Sequence, residues 1–315
     1  VEESEIQSAS VEGAPMAVHF KRVMDYVDRG AIRKKKFKVA VDCCNGVGAL
    51  HTVSFLKELF GCEVFPVYDR PTGAFEREPE PVPENLKLLC ETVIREKCDV
   101  GFAQDPDGDR LAIVNEKGIP IGEDLTLAFA VQQVLSHHFK GPVVINLSTS
   151  KSVEAVARSF GSEVYRSKIG EINVSEKMLE VNAVVGGESN GGVIIPAMHP
   201  CRDSYVGMAV VLELMAMTGK TVSELRAAIP AYVVVKDKIR IRSEQAPVIL
   251  RAIRHEYAGQ KVNLLDGVHV DFGDSWMHVR RSNTEPVIRV TAEAPTQKEA
   301  YRMAEELRSR IKKML

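Results

Sequence analysis

From residue 37 onward the apolar positions change their spacing in a regular order. Short apolar runs that fit strands alternate with segments in which apolar residues recur every three or four positions, as on one face of a helix. The first unit predicts strands and helices at residues 37–41, 47–60, 62–68, 84–97 and 100–103. In its first helix the spacing predicts burial of Leu50, Val53, Leu56 and Phe60. This order is typical of strand–helix–strand units around a parallel sheet.

A second unit of the same kind is predicted next, and a different pattern follows it. Helices and strands alternate at residues 123–138, 143–147, 150–160 and 163–166. Beyond residue 230 the strands are longer, and residues 232–242 alternate apolar and charged side chains. The predicted fold class is therefore α/β, with two consecutive three-layer α/β/α domains at 37–119 and 120–229 and a C-terminal α+β domain at 230–315. Residues 1–36 are interpreted as a tail and a helix left from a preceding domain, with Gly30 ending that helix.

Between two apolar, strand-like runs lies the segment Gln104-Asp105-Pro106-Asp107-Gly108-Asp109-Arg110. Its carboxylates fall at every second position, and the Pro and Gly between them exclude both helix and regular strand. Like charges this close repel each other unless a hard cation with oxygen ligands balances them, and Mg²⁺ suits such a loop best. The predicted metal ligands are therefore Asp105, Asp107 and Asp109. They follow a strand, which is where open α/β sheets bind their ligands.

Three other interpretations fit parts of this loop. Together with Glu116, the aspartates occupy four ligand positions of an EF-hand, but Arg110 stands where that loop needs glycine, and strand-like residues replace the flanking helices. An Asp-x-Asp phosphatase nucleophile is the second interpretation, although Asp109 stands where such enzymes usually carry Thr or Val. A solvated acidic loop without a metal is the third.

Two further loops carry residue types that recognise sugars and phosphates. In Gly187-Glu188-Ser189-Asn190-Gly191 the glycines let the backbone approach a ligand, while the acidic and amide side chains can exchange hydrogen bonds with sugar hydroxyls. Near the end of the chain, Arg280-Arg281-Ser282-Asn283-Thr284-Glu285-Pro286 offers positive charge, hydroxyls and backbone N–H groups that suit a phosphate dianion. Taken alone, the first could be a hairpin turn and the second a polar strand connection.

In this order, the three segments resemble the signatures of the α-D-phosphohexomutases, enzymes that move a phosphate between the 1 and 6 positions of a hexose. The aspartate segment is similar to the magnesium loop of that family, the Glu188 segment to its sugar-binding loop, and the Arg280 segment to its phosphate-binding loop. Lys168, in Lys168-Ile169-Gly170, is similar to a family lysine that approaches the substrate. The resemblance covers the chain from about residue 37 to its end.

The resemblance implies a role for each loop. Mg²⁺ on the aspartates would neutralise the reacting phosphoryl group, and Arg110 would add positive charge at the same oxygens. Glu188 and Asn190 would bind the sugar hydroxyls. The phosphate that does not react would be held by Arg280, Ser282, Asn283 and Thr284. The implied partners are a hexose phosphate and a hexose 1,6-bisphosphate, and the implied activity is that of a phosphomannomutase or phosphoglucomutase.

In the family a phosphoserine supplies the phosphate, from a Thr-Ala-Ser-His-Asn motif in a domain that precedes the residue-37 unit. This sequence contains no such motif, and its nearest imitation, Ser136-His137, lies in a predicted helix. We therefore expect the chain to be the last three of four domains, and to bind Mg²⁺ and phosphosugar without interconverting the sugar. A non-catalytic phosphosugar-binding protein is the alternative.

The sugar preference rests on single positions. Ser282-Asn283-Thr284 resembles the mannose and glucose branch of the family more than the glucosamine branch, where Gly commonly replaces the Asn. Many members carry Ser where Asn190 stands here. The expectation is a mannose or glucose phosphate, with a glucosamine-phosphate mutase as the alternative.

Composition and spacing argue against several other classes of protein. A net charge of -2 argues against a nucleic-acid-binding surface, and no apolar run of about 18 residues suggests a membrane span. Six cysteines without CxxC spacing indicate reduced thiols and a cytoplasmic protein. The glycines of Asn45-Gly46-Val47-Gly48 are interpreted as turn chemistry, because a dinucleotide fingerprint would need a third Gly at His51. Thr221-Val222-Ser223-Glu224 predicts a capping box.

Overall fold

The computed structural model describes residues 14–282 and 285–315 and arranges them around three β-sheets. The first sheet has the order β2-β1-β3-β4, in which only β4 is antiparallel to its neighbour. Its strands are β1 (Lys38–Asp42), β2 (Glu63–Val67), β3 (Val100–Gln104) and β4 (Leu111–Asn115). The helices of this part are α1 (Ala14–Tyr26), α2 (Arg29–Lys35), α3 (Gly48–Ser54) and α4 (Lys87–Glu96).

The second sheet repeats this plan with the order β6-β5-β7-β8 and an antiparallel edge strand β8. Its strands are β5 (Val143–Asn146), β6 (Val164–Ser167), β7 (Val185–Gly187) and β8 (Val193–Ile194). The helices are α5 (Glu123–Gln133), α6 (Lys151–Ser159), α7 (Glu171–Glu180), α8 (Ser204–Thr218) and α9 (Val222–Ala227). The predicted capping box begins α9, since the Thr221 hydroxyl and the Glu224 side chain each bond the other's backbone.

The third sheet is antiparallel throughout, with the order β10-β11-β12-β13-β9. Its strands are β9 (Val233–Arg240), β10 (Lys261–Asn263), β11 (Val268–Asp271), β12 (Trp276–Arg281) and β13 (Val287–Ala294). The helix α10 (Ala246–Glu256) lies between β9 and β10 in sequence, and α11 (Gln297–Lys312) follows β13. A wholly antiparallel sheet with two helices is typical of the α+β class. The predicted fold class is thus confirmed, while the domain boundaries stay predictions.

One apolar core joins the first two sheets. The rings of Phe20 on α1, Phe55 after α3 and Tyr205 on α8 lie with their centroids 4.8 to 5.1 Å apart. Helix α8 is buried on nearly all sides between the two units. A helix that is apolar all round shows no 3.6-residue period, which is why the sequence pattern did not predict it. The pattern also missed α7, α10, β10 and β11.

Two local expectations were wrong. Leu50 is 60% exposed rather than buried, because a π-helical turn, Phe55–Leu59, follows α3 and shifts the phase of the apolar face toward Phe55, Leu56 and Phe60. Gly30 does not end the first helix: α1 ends at Tyr26, and Gly30 lies inside α2, whose first turn is capped by the Asp28 carboxylate.

Among the residues that the structure describes, no helix combines the length and the apolarity that crossing a bilayer requires.

Candidate active site

The aspartate loop connects β3 to β4 at the carboxyl end of the first sheet. Gly108 adopts φ 72°, a left-handed conformation that favours glycine, and its N–H donates to the Asp105 carbonyl at 3.1 Å. The Arg110 N–H donates to the Asp105 carboxylate at 3.0 Å. The loop therefore turns tightly enough to bring its carboxylates together.

Buried hydrogen bonds hold this loop from beneath. The Gln104 amide donates to the Ser204 hydroxyl at 2.7 Å and accepts from the Thr52 hydroxyl at 2.7 Å. Ser204 in turn donates to the Gly108 carbonyl at 2.5 Å. A Cβ on Gly46 would lie 2.2 Å from the Pro106 carbonyl oxygen, so this glycine allows the first βα turn to pack against the loop.

The three carboxylates form a compact donor set for a hard cation. Their oxygens all lie within 4.8 Å of one another. Asp105 is buried, and this burial together with the neighbouring carboxylates raises its pKa to about 7. Asp109 Oδ1 is buried without a hydrogen-bond partner among the described residues. A buried oxygen left unpaired and a carboxylate destabilised by like charge both fit a bound Mg²⁺.

The EF-hand interpretation fails in the structure. The Glu116 carboxylate lies away from the aspartates and accepts hydrogen bonds from the N–H and hydroxyl of Ser223 at the start of α9. It therefore cannot serve as the twelfth ligand of a calcium loop.

Arg110 extends from the aspartate loop into a cleft of about 660 Å³. Its guanidinium lies 3.4 Å from Asp105 and 3.7 Å from Asp109, while a second nitrogen lies 3.5 Å from Glu80. Glu80 belongs to the proline-rich segment 70–84 and also lines the cleft.

Glu188 stands at the carboxyl end of the second sheet, directly after β7. One of its oxygens accepts from the Asn146 amide at 3.0 Å and from the Gly170 N–H at 2.8 Å. The side chain is buried, so its position is fixed before any ligand binds. Asn190, which lines the cleft, accepts from the Gly192 N–H at 3.2 Å.

Arg202 joins the two loops, although no local pattern in the sequence indicates it. Its guanidinium donates to Glu188 at 2.8 Å and to Asp109, and it lies 3.5 Å from Glu171. A Cβ on Gly192 would lie 2.2 Å from the Arg202 Cδ, so the glycine leaves room for the arginine stem. A lone arginine between a strand and a helix gives no sequence signal of such partners.

The opposite wall of the cleft belongs to the third sheet. Arg280, Lys238 and Arg289 line it, so positive side chains face the aspartate and Glu188 loops. Burial lowers the pKa of Arg280 from its usual value. Ser282 is buried, and its N–H donates to the Val287 carbonyl at 3.0 Å while its hydroxyl accepts from the Glu285 N–H at 3.3 Å.

Comparisons with known proteins agree with this arrangement of three units around one cleft. Models of the phosphoglucomutase/phosphomannomutase family match in order, as alpha/beta/alpha domain II at residues 17–118, alpha/beta/alpha domain III at 122–232 and the C-terminal domain at 221–310. The chain belongs to the phosphoglucomutase/phosphomannomutase family. The resemblance inferred from three short loops is confirmed.

Relatives within this family carry different substrate names. The chain is 38% identical over 292 residues to a probable phosphoglucosamine mutase of Methanopyrus kandleri, covering 92% of this chain and 64% of the relative. It is 37% identical over 284 residues to a phosphoglucomutase/phosphomannomutase of Thermococcus kodakarensis, covering 90% and 62%. The chain thus spans just under two thirds of these relatives, at 64% and 62% of their lengths.

Solved structures of the family share the fold. A phosphoglucomutase/phosphomannomutase family protein of Burkholderia thailandensis superposes with a TM-score of 0.80 at 26% identity, covering 95% of this chain and 64% of the other. An N-acetylphosphoglucosamine mutase of Aspergillus fumigatus, solved in complex with GlcNAc-6P and magnesium, superposes with a TM-score of 0.67 at 18% identity, covering 95% and 64%.

Three further positions suggested by the family resemblance are Lys168, Asn283 and Thr284. Lys168 is exposed, and its neighbour Ile169 rather than Lys168 itself lines the cleft. Asn283 and Thr284 lie outside the described residues. The roles of these three residues in this family member stay predictions.

Proposed function

We propose that this chain is the metal-binding and sugar-binding part of a phosphohexomutase, an isomerase that interconverts a hexose 1-phosphate and a hexose 6-phosphate. The observation that supports the proposal most strongly is the position of Arg110, Glu188 and Arg280 on three different sheets around one cleft. A hexose with a phosphate at one end needs such a set: carboxylate and amide partners for hydroxyls, and cations for the phosphate.

Each part of the cleft then has one task. Asp105, Asp107 and Asp109 would hold Mg²⁺, which when bound supplies charge neutralisation at the reacting phosphoryl group. Arg110 would bind the same phosphoryl oxygens from the side. Glu188, kept in place by Asn146 and the Gly170 N–H, would accept hydrogen bonds from the sugar hydroxyls, with Asn190 beside it.

The remote phosphate would bind on the third sheet. Arg280 is proposed to bind it together with Ser282, Asn283 and Thr284. Lys168, at the rim, would approach the sugar phosphate from solvent. In the proposed reaction the transferred phosphate comes from a phosphoserine, and a hexose 1,6-bisphosphate turns over between two transfers. No Thr-Ala-Ser-His-Asn motif occurs in this sequence, so we expect the chain alone to bind ligands without interconverting them.

The proposed hexose is mannose or glucose, because Asn283 stands where Gly is common in the glucosamine branch. A specific observation favours glucosamine instead: the relative at 38% identity carries the name of a probable phosphoglucosamine mutase. Titration with glucose 6-phosphate, mannose 6-phosphate and glucosamine 6-phosphate separates the two. A dissociation constant lowest for glucosamine 6-phosphate would overturn the mannose or glucose assignment.

The proposal is tested by calorimetric titration of Mg²⁺ and then of hexose 6-phosphate into the chain. We expect one Mg²⁺ site that Asp107→Asn weakens by at least about tenfold, since losing a ligand costs no less than losing an outer partner. Asp107 is exposed, so its replacement should leave the fold intact. Asp274→Asn, another exposed aspartate, is the matched control and should bind Mg²⁺ like the wild type.

Failure of the wild-type chain to bind either ligand would refute the proposed cleft. Interconversion of hexose phosphates by the chain alone would refute its expected inactivity. The alternative is a non-catalytic phosphosugar-binding protein. The mass of the native protein from its own cells decides between them: a mass of 34.8 kDa supports the binding protein, and a larger one supports the mutase.

A further inference from the structure

A second group of metal-ligating side chains lies outside the cleft. His19 Nε2 is 2.9 Å and His199 Nε2 is 3.0 Å from the same Asp203 oxygen, Oδ2. The three ligand atoms lie within 4.8 Å of one another. The histidine side chains are 20% and 33% exposed and the aspartate 7%, so the cluster is largely desolvated yet open to an ion from one side.

The three residues come from separate elements. His19 is on α1, His199 follows β8, and Asp203 caps the first turn of α8. The other oxygen of Asp203 accepts from the N–H groups of Tyr205 at 2.8 Å and Val206 at 3.2 Å. The carboxylate is therefore held in one orientation, with Oδ2 directed at both imidazoles, as outer-sphere partners orient the ligands of known metal sites.

We infer that His19, His199 and Asp203 bind a divalent transition-metal ion of the zinc class, at a site distinct from the aspartate loop. Bonds of 2.0 to 2.2 Å in a tetrahedral site place neighbouring ligand atoms about 3.3 Å apart. The two histidine nitrogens lie 2.9 and 3.0 Å from the Asp203 oxygen. Each of these two separations therefore needs to open by only a few tenths of an ångström. Two imidazoles select zinc, cobalt or nickel over magnesium, which prefers oxygen alone. Water would complete the coordination.

Such an ion would be structural. It would fasten α1 to the start of α8, directly beside Arg202. The nearby charges are mixed: Arg22 donates to the Met198 carbonyl at 3.4 Å, while Glu171 lies 3.5 Å from the guanidinium of Arg202. We therefore expect weaker binding than in a site closed by four protein ligands.

The competing account is a purely ionic cluster in which protonated histidines pair with Asp203. A zinc titration of the whole chain separates the two. It is made with Mg²⁺ in excess, to fill the aspartate loop, and in a Cys201→Ser background, because Cys201 is an exposed thiol two residues from His199. We expect one equivalent of Zn²⁺ and a melting temperature that rises with Zn²⁺ concentration.

Substitution of the two histidines tests whether their side chains bind the ion. His199→Gln and His19→Gln should each weaken Zn²⁺ binding by more than about tenfold, the least that even an outer partner costs. His255→Gln, an exposed histidine on α10, should bind Zn²⁺ like the parent. Retained Mg²⁺ binding shows that each variant is folded. Absence of Zn²⁺ binding in the parent chain, or unchanged affinity in both histidine variants, would overturn the inference.

Discussion

The two sides of the cleft are built in different ways. On the side formed by the first sheet, the Asp105 side chain is 7% exposed. The aspartate loop is held from beneath by the buried hydrogen bond of 2.7 Å between Gln104 and Ser204. On the third sheet, Arg289 and Lys238 are 45% and 68% exposed, and each forms an ion pair with Glu285, at 3.7 and 3.6 Å. One side presents fixed oxygen atoms, and the other presents exposed positive charge.

This difference matches what each side has to bind. A metal ion needs ligands held at set distances, so the buried network that orients them matters as much as the ligands. A phosphate dianion is attracted from many directions, and exposed cations satisfy it with little preorganisation. We therefore expect changes beneath the aspartate loop to have large effects that depend little on salt. Changes on the cationic wall should have smaller effects that fall with ionic strength.

The largest effect is expected for Arg202→Gln. Arg202 holds Asp109 and Glu188 together, so its loss should loosen the metal loop and the sugar loop at once. We expect Mg²⁺ affinity to fall about 10- to 100-fold, as for other partners that orient metal ligands, and hexose phosphate affinity to fall with it. Calorimetric titration of each ligand measures both changes.

Two further variants sharpen this test. Arg202→Lys keeps the charge but cannot reach two carboxylates with a planar fork, so it should restore only part of the affinity. Arg254→Gln removes an exposed arginine of α10 and should change neither affinity. If Arg202→Gln lowered the affinity for only one ligand, the two loops would be independent and the coupling through Arg202 would be wrong.

A smaller, one-sided effect is expected for Arg280→Gln on the cationic wall. Hydrogen bonds to charged groups contribute about 1.5–3 kcal/mol, so hexose phosphate affinity should fall roughly 10-fold or more. Mg²⁺ affinity should not change, since Arg280 lies on the third sheet.

The salt dependence of this variant tests whether the cationic wall acts through charge that salt can screen. The difference between Arg280→Gln and wild type should shrink as ionic strength rises, because part of the attraction is screened. Arg251→Gln, an exposed arginine of α10, is the control and should bind like the wild type. A loss of Mg²⁺ affinity in Arg280→Gln would show that the two sides are not separate.

What the sequence could predict depended on whether the partners of a residue are near to it or far from it in the chain. The three aspartates were found because all of them lie within five consecutive residues and carry their chemistry in their spacing. Arg202 was not, because Asp109 is 93 positions away and only the packing of α8 between the two sheets brings them together. The capping box at Thr221, a signal within four consecutive residues, was predicted correctly for the same reason.

The smallest effect concerns a contact between the second unit and the third sheet. Lys151 at the start of α6 lies 2.9 Å from Asp271 on β11, which joins the second sheet unit to the third. Burial disfavours the charged form of Asp271, but the hydrogen bond from Lys151 and the N–H of Gly273 outweigh it and lower the pKa to about 2. The pair therefore stabilises the fold while Asp271 is ionised.

The pH dependence follows from that sign. A carboxylate whose pKa falls from 3.8 to about 2 on folding contributes its full stabilisation above pH 3.8 and loses it as the pH falls toward 2. Asp271→Asn should therefore lower the free energy of unfolding at pH 7 by about 1 kcal/mol, a value reduced for partial exposure. In urea unfolding at pH 7, 5, 4 and 3, the difference from wild type should be constant down to pH 4 and smaller at pH 3.

Asp274→Asn, on the exposed turn after β11, should show no such difference. A gap between Asp271→Asn and wild type that stayed the same at pH 3 would mean that packing, and not the ionised pair with Lys151, joins the second unit to the third sheet.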